Sequence, residues 1–331
     1  MFAVVVAFSG LAVAVASPAL AVPGAGDDGE GGSKTLTQQL DAASQGYLQA
    51  KDALDASKKR QSALATKLTQ LDAELGPLQA QLDQIVQQSY RTGRLGPMSA
   101  LITASTASGF LDRAETLQTI AVKQDEALRD LKATRTAQAQ AKLAIDATIR
   151  DQQKQLNLMA RRKVQAETAL KAANAGQAAP QSTDGGGSAK ATSVPRDSDG
   201  SLPPEGCTVN DPTTSGCITP RMLHALQQAK AAGFTHYVAC FRHQDSGEHP
   251  KGRACDFAAD KGGFGGVATG ASKDYGTRLA NYFINNSDQL GVLYVIWFRR
   301  IWLPSSGWKA YTRGNGDPSS EHENHVHLSV R

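Results

Sequence analysis

Two parallel rows of residues spaced seven apart constrain the first half of the chain. Leu40, Tyr47, Leu54, Gln61, Leu68, Leu75 and Leu82 form one row, and Leu36, Ala43, Ala50, Ser57, Leu64, Leu71, Leu78 and Ile85 run beside it. A helix alone in water has no use for so strict a period. A helix that keeps one seam against a partner does, because its two rows must stay in register with that partner turn after turn. The rows predict a coiled-coil arm. Gly76-Pro77 falls inside it without shifting the phase, which predicts a kink rather than an end.

The period stops at YRTGRLGP, residues 90–97, and a weaker ladder follows at Leu117, Gln124, Leu131, Gln138, Ile145, Gln152 and Met159. Two long helices joined by a compact tip predict an all-α antiparallel coiled-coil hairpin over residues 34–175, with an intermolecular coil left as the other arrangement. Residues 176–206 are rich in Gly, Ser, Pro and Ala and carry no period, which predicts a flexible linker. All four cysteines and all seven histidines lie beyond it, so a separate domain over residues 207–331 is expected.

The chain starts with an apolar run ending in Ala19-Leu20-Ala21, the pattern of a signal peptide over residues 1–21, followed by a disordered segment over 22–33. An uncleaved anchor is the rival, since no positive charge precedes the run. Export implies an extracellular or cell-wall location. It also makes an even cysteine count a disulfide framework. Cys207 with Cys217 and Cys240 with Cys255 is the expected pairing, one closing a short loop and one tying two strands. A cysteine zinc site would want a C-x-x-C pair, and the chain has none. A net charge of +4 without a Lys/Arg block interleaved with aromatics argues against a nucleic-acid partner.

Within residues 207–331, TPRMLHALQQAKAAG reads as a helix with Thr219 as N-cap, Pro220 at the first position and Gly233 past the end. HYVACFR reads as a strand, residues 275–290 as a helix, GVLYVIWFRRIWL as strands turning near Arg299-Arg300, and VHLSV as a final strand. The expected class is α+β with a small, mainly antiparallel sheet.

Two histidine clusters stand far apart in this domain, at His249 to Asp256 and at His322 to His327. Zinc takes imidazole nitrogen and carboxylate oxygen, and a catalytic site uses three protein ligands and leaves a fourth position for water. His249, Asp256 and His327 would supply that set. On a strand, His325 and His327 share one face while Val326 points to the core. His224, His236 and His243 have no partner pattern and read as structural. His322 reads as solvent-facing or flanking, and Trp297, Trp302 and Trp308 as core or groove wall.

GEHPKGRACD resembles the S-x-H-x-x-G-x-A-x-D motif of the LAS-type zinc metallopeptidases, the group of D-Ala-D-Ala carboxypeptidases and dipeptidases. ENHVH resembles that group's closing H-x-H. The resemblance covers residues 207–331, a span that also looks like a C-terminal domain of secreted actinobacterial proteins. It implies zinc on His249, Asp256 and His327, and His325 beside the catalytic water. Arg242, in CFRHQ, matches an arginine that contacts substrate or the developing oxyanion; its quieter reading is a salt-bridged strand residue. Three departures stand out. Gly247 replaces the motif's serine, the segment from Arg242 to His249 is too short for the usual substrate-side loop, and Asn324 stands where another branch of the group has a glutamate base.

YRTGRLGPMSALITASTASGFLDRAETLQTIA resembles the tip of coiled-coil regulators found ahead of secreted peptidoglycan hydrolases. That likeness implies a hairpin that occludes the hydrolase or docks on a membrane division or cell-wall complex. Together the two resemblances imply a secreted zinc peptidase acting on peptidoglycan and regulated or positioned by its coil. The second reading is a non-catalytic wall-binding or scaffold protein that keeps the fold.

Overall fold

Helix α1, Lys34–Thr92, runs through Pro77 without a break. The computed structural model describes residues 34–93, 96–174, 189–312 and 314–331, so the expected signal peptide and the segment after it lie outside the described residues. A seven-residue helix α2, Gly96–Ile102, forms the tip. Helix α3, Ala107–Ala173, returns from an N-cap in which Thr106 Oγ1 accepts from the Gly109 amide at 3.1 Å.

The two long helices pair antiparallel within one chain. Ser57 Oγ donates to the Thr148 carbonyl at 3.2 Å, and Gln138 Nε2 to Asp72 at 2.5 Å nearer the tip. The polar exceptions in the two ladders find each other: Gln152 Nε2 donates to Gln61 Oε1 at 2.8 Å. Polar pairs along the seam favour this register, because a slip would break them. No described helix is long and apolar enough to cross a membrane.

The remaining elements build the second domain. They are β1 Val209–Asn210, β2 Cys217–Ile218, α4 Pro220–Ala231, β3 Val238–Ala239, β4 Ala254–Ala258, α5 Gly270–Asn285, α6 Ser287–Leu290, β5 Val292–Trp297, β6 Arg300–Leu303, β7 Gly307–Ala310 and β8 His325–Val330. β1 and β2 form a small ribbon; the other strands form one sheet in the order β3-β4-β8-β5-β6-β7, every neighbour antiparallel. The class is the expected α+β. Thr219 caps α4, with Pro220 first in the helix.

Two elements differ from expectation for local reasons. The strand expected over HYVACFR shrinks to β3, because the amides of Cys240 and Phe241 leave the sheet for Thr213 Oγ1 and the Asp211 carboxylate at 3.0 and 2.8 Å. The β5–β6 turn sits one residue early, on Phe298 and Arg299, both in the left-handed region at φ 52° and 61°. The last part of the expected linker, residues 189–206, lies along the domain. Asn286 brackets it, with Oδ1 accepting from the Ala191 amide at 2.8 Å and Nδ2 donating to the Ala189 carbonyl at 3.0 Å. Composition did not reveal this, because the anchors lie far along the chain: besides Asn286, Gln228 accepts from the Thr192 amide and the Gln289 carbonyl from the Val194 amide.

Both disulfides form as expected, Cys207–Cys217 and Cys240–Cys255. The second joins the end of β3 to β4, next to Asp256.

The sheet is covered on both faces. Phe257, Val295, Trp297, Val326, Leu328 and Val330 meet α4 and α5 through Met222, Leu226, Leu279 and Phe283. On the other face Leu293, Tyr294, Ile296, Ile301 and Leu303 meet the base of the coil: Leu36, Leu40 and Ala43 of α1 with Ala166, Leu170 and Ala173 of α3. A bulge between Val292 and Tyr294 turns both Leu293 and Tyr294 into this second cluster. Each leucine removed from water there contributes roughly 2 kcal/mol. Polar locks ring the contact: Asn174 Nδ2 donates to the Ala310 carbonyl at 2.7 Å, and Arg331 Nη1 to Asp52 at 2.6 Å.

Candidate metal centre

The strand register brings the two distant clusters together. Asp256 on β4 is the direct cross-strand partner of His327 on β8, and Ile296 on β5 flanks His327 from the other side. Residues 325, 327 and 329 share the face opposite Val326 and Leu328, which lie in the helix-covered core. The third side chain comes from a short 3₁₀ turn, His249–Lys251, ended by Gly252 at φ 68°.

Gly252 is required twice over. Its backbone is left-handed, and a Cβ there would stand 2.8 Å from both the Cys217 carbonyl and Ile218 Cα. Backbone cannot yield as a flexible side chain could. Gly252→Ala is expected to cost about 2 kcal/mol or more from the left-handed strain and the contact together. A melting temperature lower by about 5 °C or more would register it; an unchanged value would show the turn is not pinned.

His249, Asp256 and His327 converge as one buried group whose ligating atoms all lie within 4.8 Å of one another. His249 Nε2 is 3.3 Å from His327 Nδ1 and 3.2 Å from Asp256 Oδ2, and His327 Nδ1 is 2.9 Å from Asp256 Oδ1. Ligands at about 2.0–2.1 Å from a tetrahedral zinc stand roughly 3.3 Å apart, a spacing close to that between the two imidazole nitrogens, with one carboxylate oxygen of Asp256 beside each of them. Each histidine is oriented from behind. His249 Nδ1 faces the Cys240 carbonyl, and His327 Nε2 hydrogen-bonds Ser329 Oγ at 2.8 Å. The Cys240 carbonyl can only accept, so it holds the proton on His249 Nδ1 and leaves the Nε2 lone pair facing the centre, while Ser329 holds the His327 ring in place. Burial pushes the Asp256 carboxyl up, but His249, His325 and Arg242 around it outweigh that and hold it well below its ordinary value. The donor set, two imidazoles and an ionised carboxylate, therefore fits a divalent zinc.

His325 lies on the same face, buried, with Nδ1 at 2.7 Å from Asn324 Oδ1. Asn324 Oδ1 can only accept, so Nδ1 carries the proton and donates it. The lone pair is left on Nε2, which has no hydrogen-bond partner and stands 3.4 Å from Asp256 Oδ1. Burial lowers its pKa to about 4, with His327 and Arg242 adding to the effect against Asp256. His325 is thus a neutral imidazole with a free lone pair at neutral pH.

Arg242 does reach the site, despite the short segment that follows it. Its guanidinium Nη1 donates to Asp256 Oδ2, and Nε to Gln244 Oε1 at 2.5 Å. Glu321, upstream of the H-x-H pair, forms an ion pair with Arg299 Nε at 3.2 Å.

Of the two expectations for His322, facing solvent or flanking the site, the structure shows the second. The residue is fully buried, left-handed at φ 53°, and its ring lies 4.8 Å from that of His325. Neither ring nitrogen has a partner among the described residues. Burial, then the neighbouring His325 and His327, push its pKa well below the ordinary range. The spacing H-x-x-H-x-H carried the signal, but only the turn that folds His322 back shows it: the Phe298 amide donates to the His322 carbonyl at 2.9 Å. The other histidines are elsewhere. His236 stacks on Tyr275 at 3.5 Å, and His224 Nε2 meets the Thr192 carbonyl at 2.8 Å.

The coil base shares walls with the centre. Tyr294, packed under Leu36 and Leu40, lies parallel to the His327 ring at 5.7 Å, and Tyr311 meets His322 edge-on at 6.3 Å. Asp41 of α1 comes within 3.9 Å of Lys251, two residues past His249.

A family model described as VldE, C-terminal domain, matches residues 214–326. The matched span takes in Arg242, His249, Asp256, His322 and His325, and ends one residue before His327. No curated protein and no solved structure matches the chain.

Proposed function

We propose that the C-terminal domain is a zinc-dependent peptidase acting on peptide bonds of peptidoglycan outside the cell, with its site face under the control of the coiled coil. The convergence of His249 Nε2, Asp256 and His327 Nδ1 on one coordination face carries the reading. Two disulfides suit an oxidising compartment. Peptidoglycan as substrate rests on the motif resemblance of GEHPKGRACD and ENHVH.

Bound to the three donors, zinc would polarise a carbonyl and bring the pKa of a coordinated water to about 7. The chain's own groups do the rest. His325, its Nδ1–H held by Asn324, offers Nε2 to take a proton from the attacking water and return it to the leaving amine. Arg242 keeps Asp256 ionised and oriented, and its partly exposed guanidinium stands at the rim where a carbonyl oxygen gains charge. His322 adds a second neutral imidazole within reach of His325. The glutamate base absent at Asn324 is thereby replaced by an imidazole.

The coil would act as a gate through its base and as a receiver through its tip. Tyr90 is 90% exposed and Ile102 77%, apolar surface for a membrane division or cell-wall complex.

The test is digestion of muropeptides by the purified full-length protein, with product identification. His325→Ala is expected to lower kcat by about 10²–10⁴-fold while bound zinc stays unchanged. Zinc without cleavage in the wild-type protein would leave the wall-binding scaffold; neither zinc nor cleavage would sink both readings.

A further inference from the structure

Among the described residues of the C-terminal domain, only Tyr237, Phe264 and Val267 are large apolar side chains left exposed. The two rings lie beside the histidines. Phe264 is 5.3 Å from the His325 ring, and Tyr237 meets Phe264 edge-on at 5.3 Å and 83°. Phe264 rides on the glycine-rich run KGGFGG, residues 261–266, of which Gly263 is at φ 145°. That loop is tied to the site by one side chain. Asn324 donates through Nδ2 to the Gly265 carbonyl at 2.8 Å while its Oδ1 holds His325 Nδ1 at 2.7 Å. The Ala268 amide on the Glu323 carbonyl at 2.8 Å and the Tyr237 amide on the Lys261 carbonyl at 3.3 Å anchor it further.

From this geometry we infer that Phe264 and Tyr237 form the wall of a specificity pocket that takes a small aliphatic side chain of a peptide substrate, on the His325 side of the bond to be cleaved. The inference rests on the peptidase reading. Two rings at right angles make a notch, whereas a saccharide face would want one flat, open ring. Asp260, at the start of the loop, is engaged by Ser272, whose Oγ donates to it. The unpartnered Nε2 of His325 lies on the inner side, so a group seated against Phe264 sets the adjacent peptide bond near that nitrogen. Asn324 is a positioning residue here, since it fixes the imidazole and the notch by one amide.

The experiment compares short stem-type peptides carrying alanine, serine or glutamate at each residue flanking the cleaved bond, using full-length wild type and Phe264→Ser. Wild type is expected to prefer alanine at one flanking position by about tenfold or more in kcat/KM, the order of discrimination an apolar pocket supplies. Phe264→Ser should abolish that preference by raising KM for the alanine peptide, with kcat little changed. Equal preference in the two proteins would overturn the pocket and leave the peptidase reading intact. Binding of the same peptides, followed by calorimetry, separates the two claims. Phe264-dependent binding of the alanine peptide without any cleavage keeps the pocket and removes the peptidase; no binding removes the pocket. Phe264 is 41% exposed, so folding is not expected to suffer, and unchanged melting checks it.

Discussion

His327→Ala is expected to abolish metal binding. The full-length wild-type protein, purified without chelator, should carry one zinc per chain, and the variant less than a tenth of that. His327 would supply one of three donors, with Nδ1 at 3.3 Å from His249 Nε2 and 2.9 Å from Asp256 Oδ1. Two remaining donors cannot define a tetrahedral site. The loss should also show in stability, because metal that binds only the folded form stabilises it by about 4 kcal/mol at a thousandfold excess over Kd. A chelator should lower the wild-type melting temperature and leave the variant's unmoved. Ser329→Ala grades the effect: losing the hydrogen bond at 2.8 Å behind His327 is expected to weaken zinc about 10–100-fold without emptying the site. Equal zinc content in wild type and His327→Ala would remove the metal centre from consideration.

Leu40→Glu is expected to lift the coil base off the sheet. Leu40 is 2% exposed, between α1 and the strand face that carries Ile296 and Tyr294. A carboxylate placed there loses its water and meets no cation in that apolar cluster, a cost of several kcal/mol to the docked state alone. The second domain has its own core under α4 and α5 and two disulfides, so it should stay folded. Hydrogen exchange in β5 and β6 should rise, and cleavage of purified wall should increase about tenfold or more if docking restrains access to the centre. Faster exchange with unchanged cleavage would separate the coil from regulation. Leu170→Glu, from the α3 side of the same cluster, should behave alike.

Much of the architecture was legible along the chain because its determinants are local. The seven-residue rows announced the hairpin, and their polar exceptions Gln61 and Gln152 proved to be partners across it. Thr219-Pro220 marked a helix start with its own capping hydroxyl. Alternation in HVHLSV put His325 and His327 together and Val326 in the core. The misread pieces were those settled by distant partners. Asp211 drew Phe241 out of its strand, and Asn286 pinned a segment whose composition reads as linker.

The sequence by itself determined the periodicities, the punctuation and which residue types could bind a cation, since each depends on neighbours within a few positions. Only the tertiary structure decided the rest. It set Asp256 opposite His327, carried Arg242 onto Asp256, and folded His322 back among the histidines. It also laid Leu36 and Leu40 over the strands beside that centre. A strand pattern says which side chains share a face, but not what covers that face. Here the base of the coil covers it, because its first apolar turns and the outer face of β5 and β6 each had hydrocarbon to remove from water.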